Sequence, residues 1–414
     1  MTAPPLYSTP FRPSGAQLGL IFANFLMWSG FFAVIPLITV HFIGDLKWTA
    51  ASVGLVLAVR QLSQQGLTVF GGAWADQVGS KPLILAGCLL RTVGFTWMGF
   101  ADSLPLLLAA SLVAGLGGGL FDAPKNAAIV AVTKPEHRTR MFSLTSISGN
   151  LGMVTGPLIG AALLGLGFRV AAVTSGSVYL LAALVMGLTL PWLRPTGATR
   201  GSGLKGLNVA ARNREFRRFT LVLIGYFVLS TQLNVLVTLK AVQLGGVGAT
   251  GALYGLSAGL AVALQYPVLR FVETRLPTRV ALVGAVSLVG LSLGLMAFAA
   301  SFPALLACVV LYSLGTMTVY PSQQTLTARF APPEHLGSYF GFSAISLGVG
   351  GAVGNVVGGA LSDLGQRLGL AALPWLILFA VGLLTAAGLW WALEGQGRGT
   401  ETLPGRAADI ERLE

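Results

Sequence analysis

The chain has 414 residues, 54% of them hydrophobic and 10% charged, whereas a soluble chain carries about 25% charged residues. That balance excludes an ordinary soluble enzyme and indicates an all-α membrane protein. The formal charge of +12 would suit a nucleic-acid binder, but the basic residues fall in the gaps between apolar runs, which points to membrane lipid instead. The two cysteines, Cys88 and Cys308, both lie inside such runs, so neither a disulfide framework, a metal site nor a cofactor is expected. The first seventeen residues precede an apolar run too long for a signal-peptide core, so no cleavage is expected.

Crossing about 30 Å of hydrocarbon takes about 20 helical residues, and twelve runs of that length follow one another. The first, 17–41, carries Asn24 and the aromatic residues Trp28, Phe31 and Phe32. The second, 49–74, holds Arg60 somewhat beyond mid-depth, together with Gln64. The third, 82–101, puts Arg91 near mid-depth, roughly 15 Å from Lys81 at about 1.5 Å per residue. On the fourth, 105–130, Asp122 and Lys125 share a face, and Pro124 between them bends the helix. Spans 142–165 and 170–192 complete a first half, residues 1–193.

A glycine- and arginine-rich stretch, 194–218, reads as a cytoplasmic linker. Residues 219–414 then hold spans 219–242, 249–270, 279–300, 303–327, 339–362 and 374–393, followed by a short cytoplasmic tail. This half offers uncharged polar groups within its spans: Tyr226, Gln232, Asn234, Gln265, Tyr320 and Gln323. With the termini inside, the inner segments hold 19 basic residues and the outer loops four. That asymmetry predicts a multi-pass cell (inner) membrane protein with both termini cytoplasmic, its basic surplus facing anionic lipid.

Shifting the chain by 198 residues lays Pro135-Glu136-His137 on Pro333-Glu334-His335 and Phe142 on Phe340. Gly152, Gly156 and Gly160 then fall on Gly350, Gly354 and Gly358. The halves are therefore parallel repeats of six helices, two bundles related by a pseudo-two-fold axis along the membrane normal. Glycines four apart make a smooth helix face, either for packing alone or for sliding.

The segment Gly72-Ala73-Trp74-Ala75-Asp76-Gln77-Val78-Gly79-Ser80-Lys81-Pro82 resembles the loop 2–3 signature of the major facilitator superfamily. Gly152-x3-Gly156-Pro157-x2-Gly160 is similar to its antiporter signature. Residues 30–38, 57–76 and 115–127 and Leu373-Pro374-Trp375 narrow the resemblance to the MdtH-type multidrug efflux family of the drug:proton antiporter group. The resemblance implies extrusion of lipophilic or amphipathic compounds against proton entry. Three positions depart from it. Ser111 stands where an arginine is usual, Ala23 where close relatives carry an acid, and Gln77 and Ser80 where basic residues are common, leaving Lys81 as the main cation.

Charge within a span costs about 2.5–3.5 kcal/mol at its centre, so Arg60, Arg91, Asp122 and Lys125 each require a partner or a wet cavity. Arg60 and Arg91 read either as cavity-lining groups in substrate binding or coupling, or as structural donors to nearby carbonyls. Asp122 reads as the proton acceptor, or as an inner-gate latch meeting Lys81, Lys125 or Arg138. Asp76 is positioned to accept from the amino end of the span beginning near Tyr339, closing the cytoplasmic side. A pocket joining the uncharged polar groups to Trp28, Phe31 and Phe32 would suit a small lipophilic substrate, although the aromatics read equally well as packing. The expected protein is a monomeric alternating-access exporter. Its rivals are an uncoupled exporter or facilitator of another solute, such as a sugar or lipid, and a non-transporting membrane sensor.

Overall fold

The structure is a computed structural model that describes residues 12–134, 137–192, 202–246, 248–332 and 336–394. Among the described residues all regular structure is helical. The first half holds α1 (Gly15–Thr39), extended by a π-helical turn Val40–Asp45, then α2 (Ala50–Val78), α3 (Ser80–Met98), α4 (Leu104–Ala131), α5 (Arg138–Leu164) and α6 (Phe168–Thr189). A short α7 (Ser202–Arg212) leads into α8 (Arg214–Ser230), a 3-10 turn Thr231–Asn234 and α9 (Leu236–Gly245). The remaining helices are α10 (Ala249–Arg275), α11 (Thr278–Met296), α12 (Phe302–Phe330), α13 (Leu336–Arg367) and α14 (Leu373–Ala392).

Local chemistry sets several of these boundaries. Ser14 and Gln17 form a capping box at the start of α1, each side chain bonding the other's backbone N–H. Asn213 caps α8 by accepting from Phe216 N at 3.1 Å. Gly79, with φ of 93°, lets the chain turn from α2 into α3, a left-handed conformation that side-chain-bearing residues resist.

Nine stretches among the described residues are long and apolar enough to cross a membrane. The other three expected spans fall on α2, α3 and α5. Their apolar character is diluted by groups such as Arg60, Gln61, Gln64, Gln65, Arg91, Thr145 and Ser148. The offset of 198 reappears in the helices: α3 covers 80–98 and α11 covers 278–296.

Among the described residues two hydrophobic cores form. One gathers Leu20, Ile38, Phe95 and Tyr179 from α1, α3 and α6; the other gathers Phe219, Val289, Val309 and Leu378 from α8, α11, α12 and α14. Between them α2 packs on α13, and α5 on α10. The glycine face 152, 156, 160 does not lie there. A Cβ on Gly152 would sit 2.7 Å from Phe25 O, and one on Gly156 would sit 2.6 Å from Ser29 O, so this face, with Pro157 inside the helix, is a tight seam between α5 and α1. In the second half Gly350 and Gly354 press in the same way on α8. In this conformation these glycines serve close packing within each half.

Candidate functional site

A cavity of about 240 Å³ lies between the two cores. Its walls are aromatic on the α1 side, where Trp28, Phe31 and Phe32 contact one another with ring centroids 5.0–6.3 Å apart. Helices α2, α3 and α4 add Arg60, Gln61, Gln64, Gln65, Arg91, Phe121 and Asp122. The second half contributes Thr231, Asn234 and Leu347. Thr231 and Asn234 belong to the 3-10 turn that interrupts the span expected as continuous over 219–242. Irregular backbone at membrane depth is tolerated where it lines a cavity. Here the break is also tied down, because Asn234 O accepts from Thr39 Oγ1 at 2.9 Å and Asn234 Oδ1 accepts from Tyr254 Oη at 3.2 Å.

The charged groups are linked by amides rather than by ion pairs. Arg60 donates from Nη1 to Gln64 Oε1 at 2.7 Å and from Nη2 to Gln61 Oε1 at 2.8 Å. Gln64 in turn donates from Nε2 to Asp122 Oδ2 at 2.9 Å. The Arg60 guanidinium carbon lies 4.7 Å from the centre of the Phe31 ring. Arg91 approaches the same ring at 5.9 Å and Tyr179 at 5.5 Å. Glycines of α4 make room for this cluster: a Cβ on Gly118 would stand 2.5 Å from Arg91 Nη2 and 2.7 Å from Gln64 Cδ. The run Gly115–Gly119 therefore serves close approach of α2 and α3.

The inner-gate latch on Asp122 is not made in this conformation. Asp122 has no ion pair within 4 Å with Lys81, Lys125 or Arg138, because each cation is satisfied elsewhere. Lys81 Nζ donates to the carbonyls of Gly187 and Leu190, at 2.7 and 2.6 Å, at the end of α6. Lys125 Nζ donates to Asn24 Oδ1 at 2.9 Å, and Arg138 reaches the carbonyls of Val130 and Thr133.

Of the residues proposed for a substrate cavity, Trp28, Phe31, Gln64 and Asn234 line it, together with Arg60, Arg91 and Asp122. Six others lie elsewhere. Asn24 is buried beside Lys125, Thr145 and Ser148. Gln232 is fully buried, donating to Val228 O and Gly354 O in the α8–α13 seam. Gln323 donates to Ser346 Oγ at 3.2 Å, and Tyr226 packs on Phe227. Gln265 is half-buried on α10, and Tyr320 is exposed on α12. The side chains at Gly72 and Asp76 lie outside the described residues, as does the proposed contact of Asp76 with α13.

Sequence reasoning missed Gln61, Gln65, Phe121 and Tyr179, although two further glutamines on the apolar face of an expected span were a usable signal. It also missed Asp363. That carboxylate accepts from both leading amides of α2, Oδ1 from Ala50 N at 3.0 Å and Oδ2 from Ala51 N at 2.9 Å. It caps a helix of the first half from the last turns of α13. Alongside it Gly348, Gly351 and Gly359 bring α13 against Gln65, Gln61 and Ala50.

A helical body, among the described residues, with a charged cavity between two cores is an arrangement that suits a membrane transporter, and the sequence comparison gives its family. The Major Facilitator Superfamily family model matches residues 20–354 and 274–410, and the chain belongs to that family. It is 38% identical over 367 residues to the multidrug resistance protein MdtH of Photorhabdus laumondii, covering 88% of this chain and 91% of that one. To MdtH of Edwardsiella ictaluri it is 37% identical over 381 residues, covering 92% and 94%. The MdtH-type resemblance is therefore borne out, and the chain is a multi-pass membrane transporter of this superfamily. Its fold is similar to that of the POT family transporter PepTSo, with a TM-score of 0.78 at 14% identity over 94% of this chain and all of that one. It is also similar to a mutant form of the nucleoside transporter NupG, with a TM-score of 0.74 at 15% identity over 91% of this chain and 99% of that one.

Proposed function

We propose that the protein exports lipophilic or amphipathic compounds in exchange for protons by alternating access. In this reading it is a monomer of the inner membrane with twelve crossings and both termini cytoplasmic. Two six-helix bundles, 1–193 and 219–414, are joined by the linker 194–218. The observation that carries the reading is the single chain of contacts from Asp122 through Gln64 to Arg60 along an aromatic-walled cavity between the halves. The names of the MdtH relatives support multidrug export.

The proposed coupling follows from that chain. Ionised Asp122 holds Gln64 by a charge-assisted hydrogen bond, and Gln64 holds Arg60. Protonation of Asp122 weakens the first bond and frees both side chains to reorient toward a ligand. A proton shifts the balance of inward- and outward-facing forms only by the difference in its affinity for the two. In this topology the α13–α2 contact at Asp363 lies on the outer side and holds it closed.

Flux of a fluorescent lipophilic substrate from proteoliposomes, with and without an imposed pH gradient, tests the reading. The gradient should accelerate wild-type export, and Asp122→Asn should abolish that acceleration while leaving the purified protein folded. Wild-type gradient dependence in Asp122→Asn would remove the proton role from this residue. The second reading, an uncoupled exporter, is favoured by Ser111, which is buried with its hydroxyl unpartnered where the family usually carries an arginine. It predicts equal flux with and without the gradient.

A further inference from the structure

The charges around the cavity do not balance. Among the described residues, Arg60 and Arg91 both line it, each 6% exposed, against the one carboxylate of Asp122. Among the described residues no carboxylate lies within 4 Å of either guanidinium. A guanidinium has five N–H donors. The hydrogen bonds of Arg60 go to two neutral amide oxygens, Gln61 Oε1 and Gln64 Oε1. Arg91 is set against the faces of Phe31 and Tyr179. The Nε of each is buried without a hydrogen-bond partner. Lys125, buried one helical turn from Asp122 and bonded to neutral Asn24, adds a third positive charge behind the wall.

Charged groups within a membrane ordinarily pair with one another or face a wet cavity. Here neutral amides and aromatic faces occupy the places where carboxylates would stand, and both arginines flank one ring, Phe31. A cationic ligand would enter against a surplus of like charge. An anion would supply the missing acceptor.

We propose that the preferred substrates of this cavity are amphipathic organic anions. Their carboxylate or sulfonate oxygens accept from Arg60 and Arg91, and their apolar body lies on Trp28, Phe31 and Phe32. The inference rests on the reading of this cavity as the substrate site. It adds the sign of the ligand's charge, which neither the superfamily match nor the names of the relatives specify. Guanidinium suits the role because its fork matches the two oxygens of a carboxylate and it stays protonated inside the membrane.

The test uses the purified full-length protein in detergent and three probes with one dansyl body: a dansyl-aminohexanoate, its neutral primary amide, and the dansyl-alkylamine of equal length. Fluorescence titration should give a carboxylate affinity at least about tenfold above that of the amide, with the amine weakest, the scale expected of one hydrogen bond to a charged group. Arg60→Gln and Arg91→Gln should each cost the carboxylate about tenfold and the amide, whose carbonyl makes only a neutral hydrogen bond, distinctly less. Equal binding of carboxylate and amide, preference for the amine, no binding of the carboxylate, or equal loss of carboxylate and amide in the arginine variants would overturn the proposal. The wild-type probe series decides the point even if an arginine variant does not fold. Phe31→Ala separates the two levels. If it weakens all three probes while charge makes no difference, the cavity is the site and only the charge preference fails. If it leaves all three unchanged, the cavity reading itself fails.

Discussion

Lys125 shows how this protein stabilises a buried charge without an acid. Its ammonium donates to Asn24 Oδ1, while Asn24 Nδ2 donates to Thr145 O at 2.9 Å and Ser148 Oγ at 3.1 Å, so a single carboxamide ties α4 to α1 and α5. Asn24→Leu would leave that ammonium buried and unpartnered, at a cost of about 2–5 kcal/mol. A lowered unfolding midpoint in detergent is expected for Asn24→Leu, with much of the loss recovered in Asn24→Leu/Lys125→Met. Simple addition of the two single effects would show that the residues are not coupled. The presence of Arg60, Arg91, Asp122 and Lys125 inside spans was legible in the sequence, because charge within an apolar run stands out. Their partners were not. Asp122 bonds Gln64, 58 positions away, and Lys125 bonds Asn24, 101 positions away, and no local pattern encodes such pairings.

At the scale of helices, the glycines divide into those the packing requires and those it does not. A Cβ on Gly160 would overlap the carbonyl oxygen of Ala33 across the α1–α5 seam, whereas one on Gly259 of α10 meets nothing within 4 Å. Gly160→Ala should destabilise by about 1–3 kcal/mol through overpacking. Gly259→Ala should be neutral or stabilise by up to about 1 kcal/mol, since alanine is the better helix former. Parallel thermal melts of the two variants check the contrast, and equal shifts would contradict the seam. The spacing 152, 156, 160 made a close-packed face readable in advance, but not its neighbour. The break at Thr231–Asn234 was hidden for another reason: no glycine or proline marks it, and its stabilising bonds come from Thr39 and Tyr254 on other helices.

Across the whole molecule, the Asp363 cap on α2 joins the halves beside the packing of α5 on α10 and the Thr39–Asn234 hydrogen bond. Removing a capping carboxylate costs about 0.5–2 kcal/mol, and here that loss falls only on conformations in which α2 and α13 meet. Asp363→Ala should therefore shift the population toward forms separated at this end. Spin labels at Leu46 and Leu368, both exposed beside the cap, should show a longer distance component that grows in the variant. An unchanged distance distribution would mean that the cap does not hold the two helices together. Asp363 lies one residue beyond the expected span 339–362, whereas α13 continues to Arg367.

The sequence by itself determined a membrane-embedded helical chain, the positions of its apolar runs, its internal offset of 198 residues and its intramembrane charges. Each of these follows from composition and periodicity along the chain. Only the tertiary structure decided that Arg60 faces amides and both arginines one aromatic ring, that the glycines 152, 156, 160 and 350, 354 pack inside each half while Gly348, Gly351 and Gly359 meet the other half, and that Gln232 and Gln323 turn into packing while Asn234 turns to the cavity. Those outcomes depend on which helix faces meet, and helix contacts are set by the fit of side chains distant in sequence, which hydropathy does not record.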